Sequence, residues 1–178
     1  AGTLAGATTA NPVATPTATT TYTVTVTDGN GCTNTDDVVV SVNNVPTADA
    51  GLDQTICNGS GVVIGGSPTG PTGATYQWSP STGLSSTTGS NPTASPTINT
   101  QYTVTVTSGV GCTSTDIVNV TVNQNPIVDA GPDQTICNGF SATIGGSPTG
   151  TPGVTFAWTP SATLSSATVS NPVANPTI

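Results

Sequence analysis

The sequence predicts an all-β protein of tandem Greek-key β-sandwiches that repeat every 80 residues. Three observations predict it. Val and Thr alternate along stretches such as 101–107, the period-two pattern of a strand with one buried face. Glu, Lys, Arg and Met are absent, whereas 39 Thr, 21 Gly and 15 Pro supply strands and turns. Landmarks also recur at one fixed offset: Tyr22 and Tyr102, Cys32 and Cys112, Cys57 and Cys137, Trp78 and Trp158. Aligned without gaps, 46–98 matches 126–178 at 34 of 53 positions, and 19–45 matches 99–125 at 17 of 27. These are tandem copies.

The Pro-marked junctions at Asn44-Val45-Pro46 and Gln124-Asn125-Pro126 divide the chain. Residues 46–125 form a complete sandwich repeat, 1–45 the C-terminal half of a repeat, and 126–178 the N-terminal half of another. Within the complete repeat, 48–56 reads as a first edge strand broken at Gly51. Val62-Val63-Ile64 is a second strand, ended by Gly65-Gly66, and Thr75–Trp78 a third, ended by Pro80. The stretch 84–98, interrupted by Asn91-Pro92 and Pro96, holds short edge strands. Residues 101–107 place Tyr102, Val104 and Val106 on one face. After the turn Ser108-Gly109-Val110-Gly111, residues 113–122 return with Val118, Val120 and Val122 inward, a hairpin signature. Short strands at this spacing suggest a Greek-key sandwich. Trp78 fills its centre with Tyr102, Val104 and Val106, and Trp158 does the same in the following repeat. Tyr102 opens its strand where a corner tyrosine bonds the backbone upstream.

Composition excludes much. There is no Lys, Arg or His, and the eight charges are all Asp. Phosphate backbones cannot be neutralised, so nucleic acid is not a partner, and direct docking to anionic lipid fails likewise. Ser-His-Asp, Cys-His and Schiff-base chemistry lack their bases. Asp pairs alone could act on glycosides, but no cleft with a raised-pKa acid is legible, so the chain is read as non-enzymatic. No apolar run approaches the roughly 20 residues of a membrane helix. No signal peptide opens the sequence, which reads as processed or excerpted.

Several runs carry a resemblance: Asp49-Ala50-Gly51-Leu52-Asp53-Gln54-Thr55-Ile56-Cys57, Tyr76-Gln77-Trp78-Ser79-Pro80, Tyr102 to Thr107, and Gly111-Cys112-Thr113. In this order they resemble the PKD-like and immunoglobulin-like repeats of very large Bacteroidota surface proteins, including gliding-motility adhesins exported by the type IX secretion system. The likeness spans the whole chain. It departs after the tryptophan, where Trp78-Ser79-Pro80 replaces the Trp-Asp-Phe-Gly-Asp-Gly of true PKD domains. The resemblance implies an extracellular or cell-surface, elongated, non-enzymatic module.

Two Cys per period in an extracellular setting favour disulfides. The expected bridge is Cys57–Cys112 within the complete repeat, with Cys32 and Cys137 pairing outside their half-repeats. A bridge between repeats, such as Cys32–Cys57, is the rival. Asp49 and Asp53, repeated as Asp129 and Asp133, flank a glycine after each junction. They are candidate calcium ligands or turn-forming solvated carboxylates, and no other cofactor is implied.

The function expected is a non-catalytic spacer in an extracellular fibre, stalk or adhesin, whose partners are neighbouring repeats or identical chains. An alternative is a head-to-tail filament in which one chain's front half is completed by the next chain's back half. A third is an adhesin module binding glycan or protein through the loops 65–74 and 81–90.

Overall fold

The computed structural model describes residues 3–176. Among them there is no helix, and so none long and apolar enough to cross a membrane. The chain divides into two compact units, one ending at Val122 and one beginning at Asn123.

The first unit opens with two strand pairs. β1 (Thr3–Ala5) pairs antiparallel with β2 (Val13–Thr15), and β3 (Thr20–Thr27) with β4 (Thr33–Val40). Its remaining strands are β5 (Gln54–Cys57), β6 (Val62–Val63), β7 (Thr75–Ser79), β8 (Thr93–Ala94), β9 (Thr100–Thr107) and β10 (Thr113–Asn123). They make an immunoglobulin-like sandwich: one sheet runs β5-β10-β9-β7, the other is the pair β6-β8.

The Val/Thr alternation sets the layers. Tyr102, Val104 and Val106 of β9 are fully buried, as are Val118 and Val120 of β10, while the intervening Thr look outward. Trp78, opposite Val104 in the β7–β9 register, completes the core with Ile64 and Ala94 from the second sheet. The Tyr102 hydroxyl donates to the Thr82 carbonyl at 2.7 Å, the corner contact expected of it. Burial raises the pKa of that hydroxyl.

The first strand is shorter than the sequence suggests. Only 54–57 joins the sheet, because Gly51 turns the chain at φ +83, and a Cβ there would stand 3.0 Å from the Gly65 carbonyl oxygen. Its direction follows from two contacts. The Ala50 N–H donates to Asp116 Oδ2 at 2.8 Å, and the Asn119 N–H donates to Asp53 Oδ1 at 2.8 Å. Both link residues 66 apart, and a constant difference means that this segment runs parallel to β10.

The second unit holds β11 (Ala142–Thr143) paired with β12 (Val173–Ala174), the counterparts of β6 and β8. Residues 134–137 and 155–159, the counterparts of β5 and β7, form no strand. In the complete sandwich those two strands pair with β10 and β9, and residues 123–176 hold no counterpart of either. Trp158, expected in a core, is accordingly only half-buried.

Candidate functional site

The polar groups of the complete sandwich act as internal anchors. Asp116 lies on the core side of β10 and accepts the Ala50 amide. Asp53 accepts both the amide and the side-chain Nδ2 of Asn119, and these bonds, the backbone one foremost, hold its carboxyl below the usual carboxylate range. Asp28 is lowered similarly, by the Cys32 and Asn30 amides of the β3–β4 turn. Sequence reasoning missed the two cross-strand roles, because neither an Asp beside a turn glycine (Asp53) nor one within a polar strand start (Asp116) shows which other strand it will bond.

The candidate calcium ligands do not converge. Asp49 and Asp129 each accept an amide two residues on, from Gly51 and Gly131, at 2.8 Å, while Asp53 is engaged by Asn119. No group of three metal-ligating side chains occurs among the described residues.

The expected Cys57–Cys112 bridge is corrected. All four cysteines are free thiols. Because β5 runs parallel to β10, Cys57 at the end of β5 stands level with Asn123 at the end of β10, whereas Cys112 precedes its start. At about 3.3 Å per residue, the length of β10 separates them by roughly 35 Å, far beyond the reach of a disulfide. Cys112 instead meets the preceding junction, its Sγ 4.0 Å from the Asn43 carbonyl oxygen.

The loops considered for ligand binding are tied down. The Asp49 N–H donates to the Thr69 carbonyl at 2.9 Å, the Gly66 N–H to the Asp49 carbonyl at 2.8 Å, and the Asn91 Nδ2 to the Gly66 carbonyl at 3.0 Å. The buried Thr69 hydroxyl bonds the Ser90 carbonyl at 2.9 Å. Gly65, at φ +104, sits where a Cβ would come 2.6 Å from both Ser90 O and Thr69 Oγ1. The backbone bonds and the asparagine bond recur in the second unit, where the Gly146 N–H donates to the Asp129 carbonyl at 2.9 Å and Asn171 Nδ2 to Gly146 O at 3.2 Å.

Two open apolar faces stand out instead. On the β3–β4 hairpin, Val24, Val26 and Val38 are 56%, 64% and 60% exposed, whereas their counterparts Val104, Val106 and Val118 are wholly buried. A groove of about 790 Å³ lies along this face, lined by Leu4, Tyr22, Val24, Val26, Asp36 and Val38. The Tyr22 hydroxyl is buried there without a hydrogen-bond partner among the described residues. In the second unit, a cavity of about 340 Å³ is lined by Ile136, Ile144, Trp158, Ala174 and Pro176. Trp158 is nonetheless oriented as Trp78 is: each indole N–H donates to a carbonyl 11 residues on, Val169 or Gly89, at 2.9 Å.

No family model matches the chain, and no curated relative matches it. Among solved structures it is similar to the PKD domain from KIAA 1837 protein, with 23% identity and a TM-score of 0.38, covering 54% of this chain and 100% of that one. It is also similar to the human Desmocollin-1 ectodomain, with 14% identity and a TM-score of 0.37, covering 83% of this chain and 34% of that one. A surface glycan-binding protein, SGBP-B of Bacteroides ovatus, solved with a mixed-linkage heptasaccharide, gives 18% identity and a TM-score of 0.22, over 73% of this chain and 40% of that one. These are loose likenesses; the fold assignment stands on the strand pairing itself.

Proposed function

We propose that the chain is a non-catalytic structural segment of an extracellular fibre, stalk or surface adhesin, in which successive sandwiches act as spacers. The observation that carries this reading is the 80-residue repeat whose internal anchors recur with it, including the pinned 65–74 loop and its copy. Such repeats add length without changing the fold. A chain with no Lys or Arg also offers trypsin-like proteases no cleavage site, which suits exposure outside a cell, and its uniform negative charge keeps neighbours apart. The Bacteroidota affinity of its motifs belongs to the same proposal. Electron micrographs of the parent assembly should show an axial spacing on the order of 35–40 Å per repeat. Glycan-array binding abolished by substitutions in 67–73 would assign the chain to the adhesin class instead.

The open faces favour a second reading, a head-to-tail filament completed by strand donation between chains. The complete sandwich shows what covers a β9–β10 hairpin: the strands β5 and β7 of its own repeat. Residues 126–176 of a second copy carry the counterparts of both. Docked in the same register, Trp158 meets Val24 as Trp78 meets Val104, and Phe156 meets Val26 as Tyr76 meets Val106. The orphan Tyr22 hydroxyl gains the Ala162 carbonyl, the counterpart of Thr82. Residues 3–15 and 163–175 are copies of one segment. The first yields, because β12 is paired to β11 whereas β2 pairs only with β1. Native mass spectrometry of the chain should show a ladder of multiples of 17.3 kDa that Val24→Asp collapses to monomer. Monomer alone in the unmodified chain sinks this reading.

A further inference from the structure

Asn-Gly steps occur at Asn30-Gly31, Asn58-Gly59 and Asn138-Gly139, and the fold treats them differently. The last two are one repeat period apart, in the turn that follows Cys57 or Cys137. There the Ser60 N–H donates to the Cys57 carbonyl at 3.0 Å, and the Phe140 N–H to the Cys137 carbonyl at 3.1 Å. Gly59 and Gly139 stand at φ +89 and +88, while no described residue other than glycine takes a positive φ. Each is therefore a type II turn with Asn and Gly at its two central positions. The N–H between them, that of the glycine, takes no part in closing such a turn. Among the described residues neither the Gly59 nor the Gly139 N–H has an acceptor.

Asn30-Gly31 lies in the β3–β4 turn and is tied down. The Gly31 N–H donates to the Asp28 carbonyl at 3.1 Å, and the Asp28 carboxylate accepts the Asn30 and Cys32 amides at 2.8 and 2.9 Å. Crowding does not separate the three steps: at Gly31, Gly59 and Gly139 alike, nothing stands within 4 Å of where a Cβ would be. What separates them is the glycine nitrogen. At Gly31 its proton is held in a hydrogen bond beside a carboxylate, which opposes negative charge on the nitrogen. At Gly59 and Gly139 the proton is open to removal by hydroxide.

We infer that Asn58 and Asn138 are sites of spontaneous succinimide chemistry, from which Asn30 is protected. Hydroxide takes the glycine amide proton, and the nitrogen attacks Cγ of the asparagine. The new N–Cγ bond closes a five-membered imide as the Cγ–Nδ2 bond breaks, and the side-chain amide leaves as ammonia with a proton from water, which restores the hydroxide. A second water opens the imide at either carbonyl, giving aspartate or, with the chain rerouted through the side chain, isoaspartate. Overall one water enters and one ammonia leaves, with no change of oxidation state. Each event adds one negative charge to the formal −8, and isoaspartate inserts a methylene into the turn between β5 and β6, which lie in different sheets. Asn138 reacts first, being exposed, whereas Asn58 is half-buried and already has a partner.

Ageing the whole chain in warm, mildly alkaline buffer, folded and in parallel unfolded in guanidinium chloride, tests the assignment. Trypsin finds no site, so peptides are made with pepsin in acid, where the hydroxide-dependent step stops. In the folded chain a gain of one mass unit is expected at Asn138 and then Asn58, as aspartate and isoaspartate together. Asn30 should convert at least about fivefold more slowly than either, the factor set by first breaking one hydrogen bond. In the unfolded chain the three rates should converge. Asp28→Ala should raise the Asn30 rate severalfold and leave the other two unchanged. Equal rates in the folded chain, or Asn58 and Asn138 intact after the unfolded chain has converted, overturn the inference. Aspartate without isoaspartate overturns the imide route, and an unmoved Asn30 rate in Asp28→Ala overturns the protection assigned to that carboxylate.

Discussion

The hairpins 20–40 and 100–120 carry nearly the same inward residues and meet opposite fates. Tyr102, Val104, Val106 and Val118 are wholly buried, whereas Val24, Val26 and Val38 are more than half exposed. The registers are also the same, Tyr22 facing Val38 as Tyr102 faces Val118. What differs is the company. Among the described residues β9 is bonded on both edges, by β10 and β7, while β3 is bonded by β4 alone. An alternating strand thus specifies a face to be covered, and the covering comes from elsewhere. With each buried valine contributing on the order of 1.5 kcal/mol or more, the uncovered face is a reservoir of association free energy.

Substitutions at matched positions sharpen this contrast. The largest effect is expected at the tryptophans. Trp78→Ala should destabilise the complete sandwich by about 3–5 kcal/mol in denaturant unfolding. Trp158→Ala should leave that transition within about 0.5 kcal/mol and weaken only association. Equal losses of stability would mean that Trp158 already sits in a finished core. A smaller difference should appear at the tyrosines. Tyr102→Phe removes the bond to Thr82 and should cost about 1 kcal/mol. Tyr22→Phe removes a hydroxyl with no acceptor and should be neutral or slightly stabilising in the isolated chain.

The smallest effect is electrostatic and concerns the edge strand. Asp53 has a folded pKa below its ordinary 3.8, so its contribution is present above that value and fades as pH falls through the lowered one. The protection of the 54–57 amides, taken relative to their intrinsic exchange rates at each pH, should therefore fall below about pH 4, and Asp53→Asn should remove that fall. An unchanged acid profile in that variant would contradict the anchoring role.

Much of the sandwich was legible because the deciding signals are local. Alternation at 101–107 and 113–122 fixed the buried faces, Trp78-Ser79-Pro80 ended a strand, and Tyr102 found its upstream carbonyl. The direction of the edge strand was not legible. Periodicity assigns a face to each residue but does not say whether a neighbour runs up or down. Joining Cys57 to Cys112 treated two strand ends as one place, and the two contacts that set them apart belong to Asp53 and Asp116, which look like ordinary turn or surface residues. The incomplete burial of Trp158 was hidden for a related reason: its sequence matches that of a core residue, and full burial depends on a hairpin that 126–176 does not contain. Without an internal bridge, reductant should leave the melting of the complete sandwich unchanged.

The strand-donation proposal is that the open edge and face of β3 are covered by 126–176 of another copy. Hydrogen exchange across a dilution series reads this most directly, at the amides of 23–27 that point away from β4. They should exchange freely in dilute chain and gain protection as concentration rises, in step with burial of the Trp158 indole. Exchange that stays fast at every concentration, with Trp158 unmoved, would contradict the account.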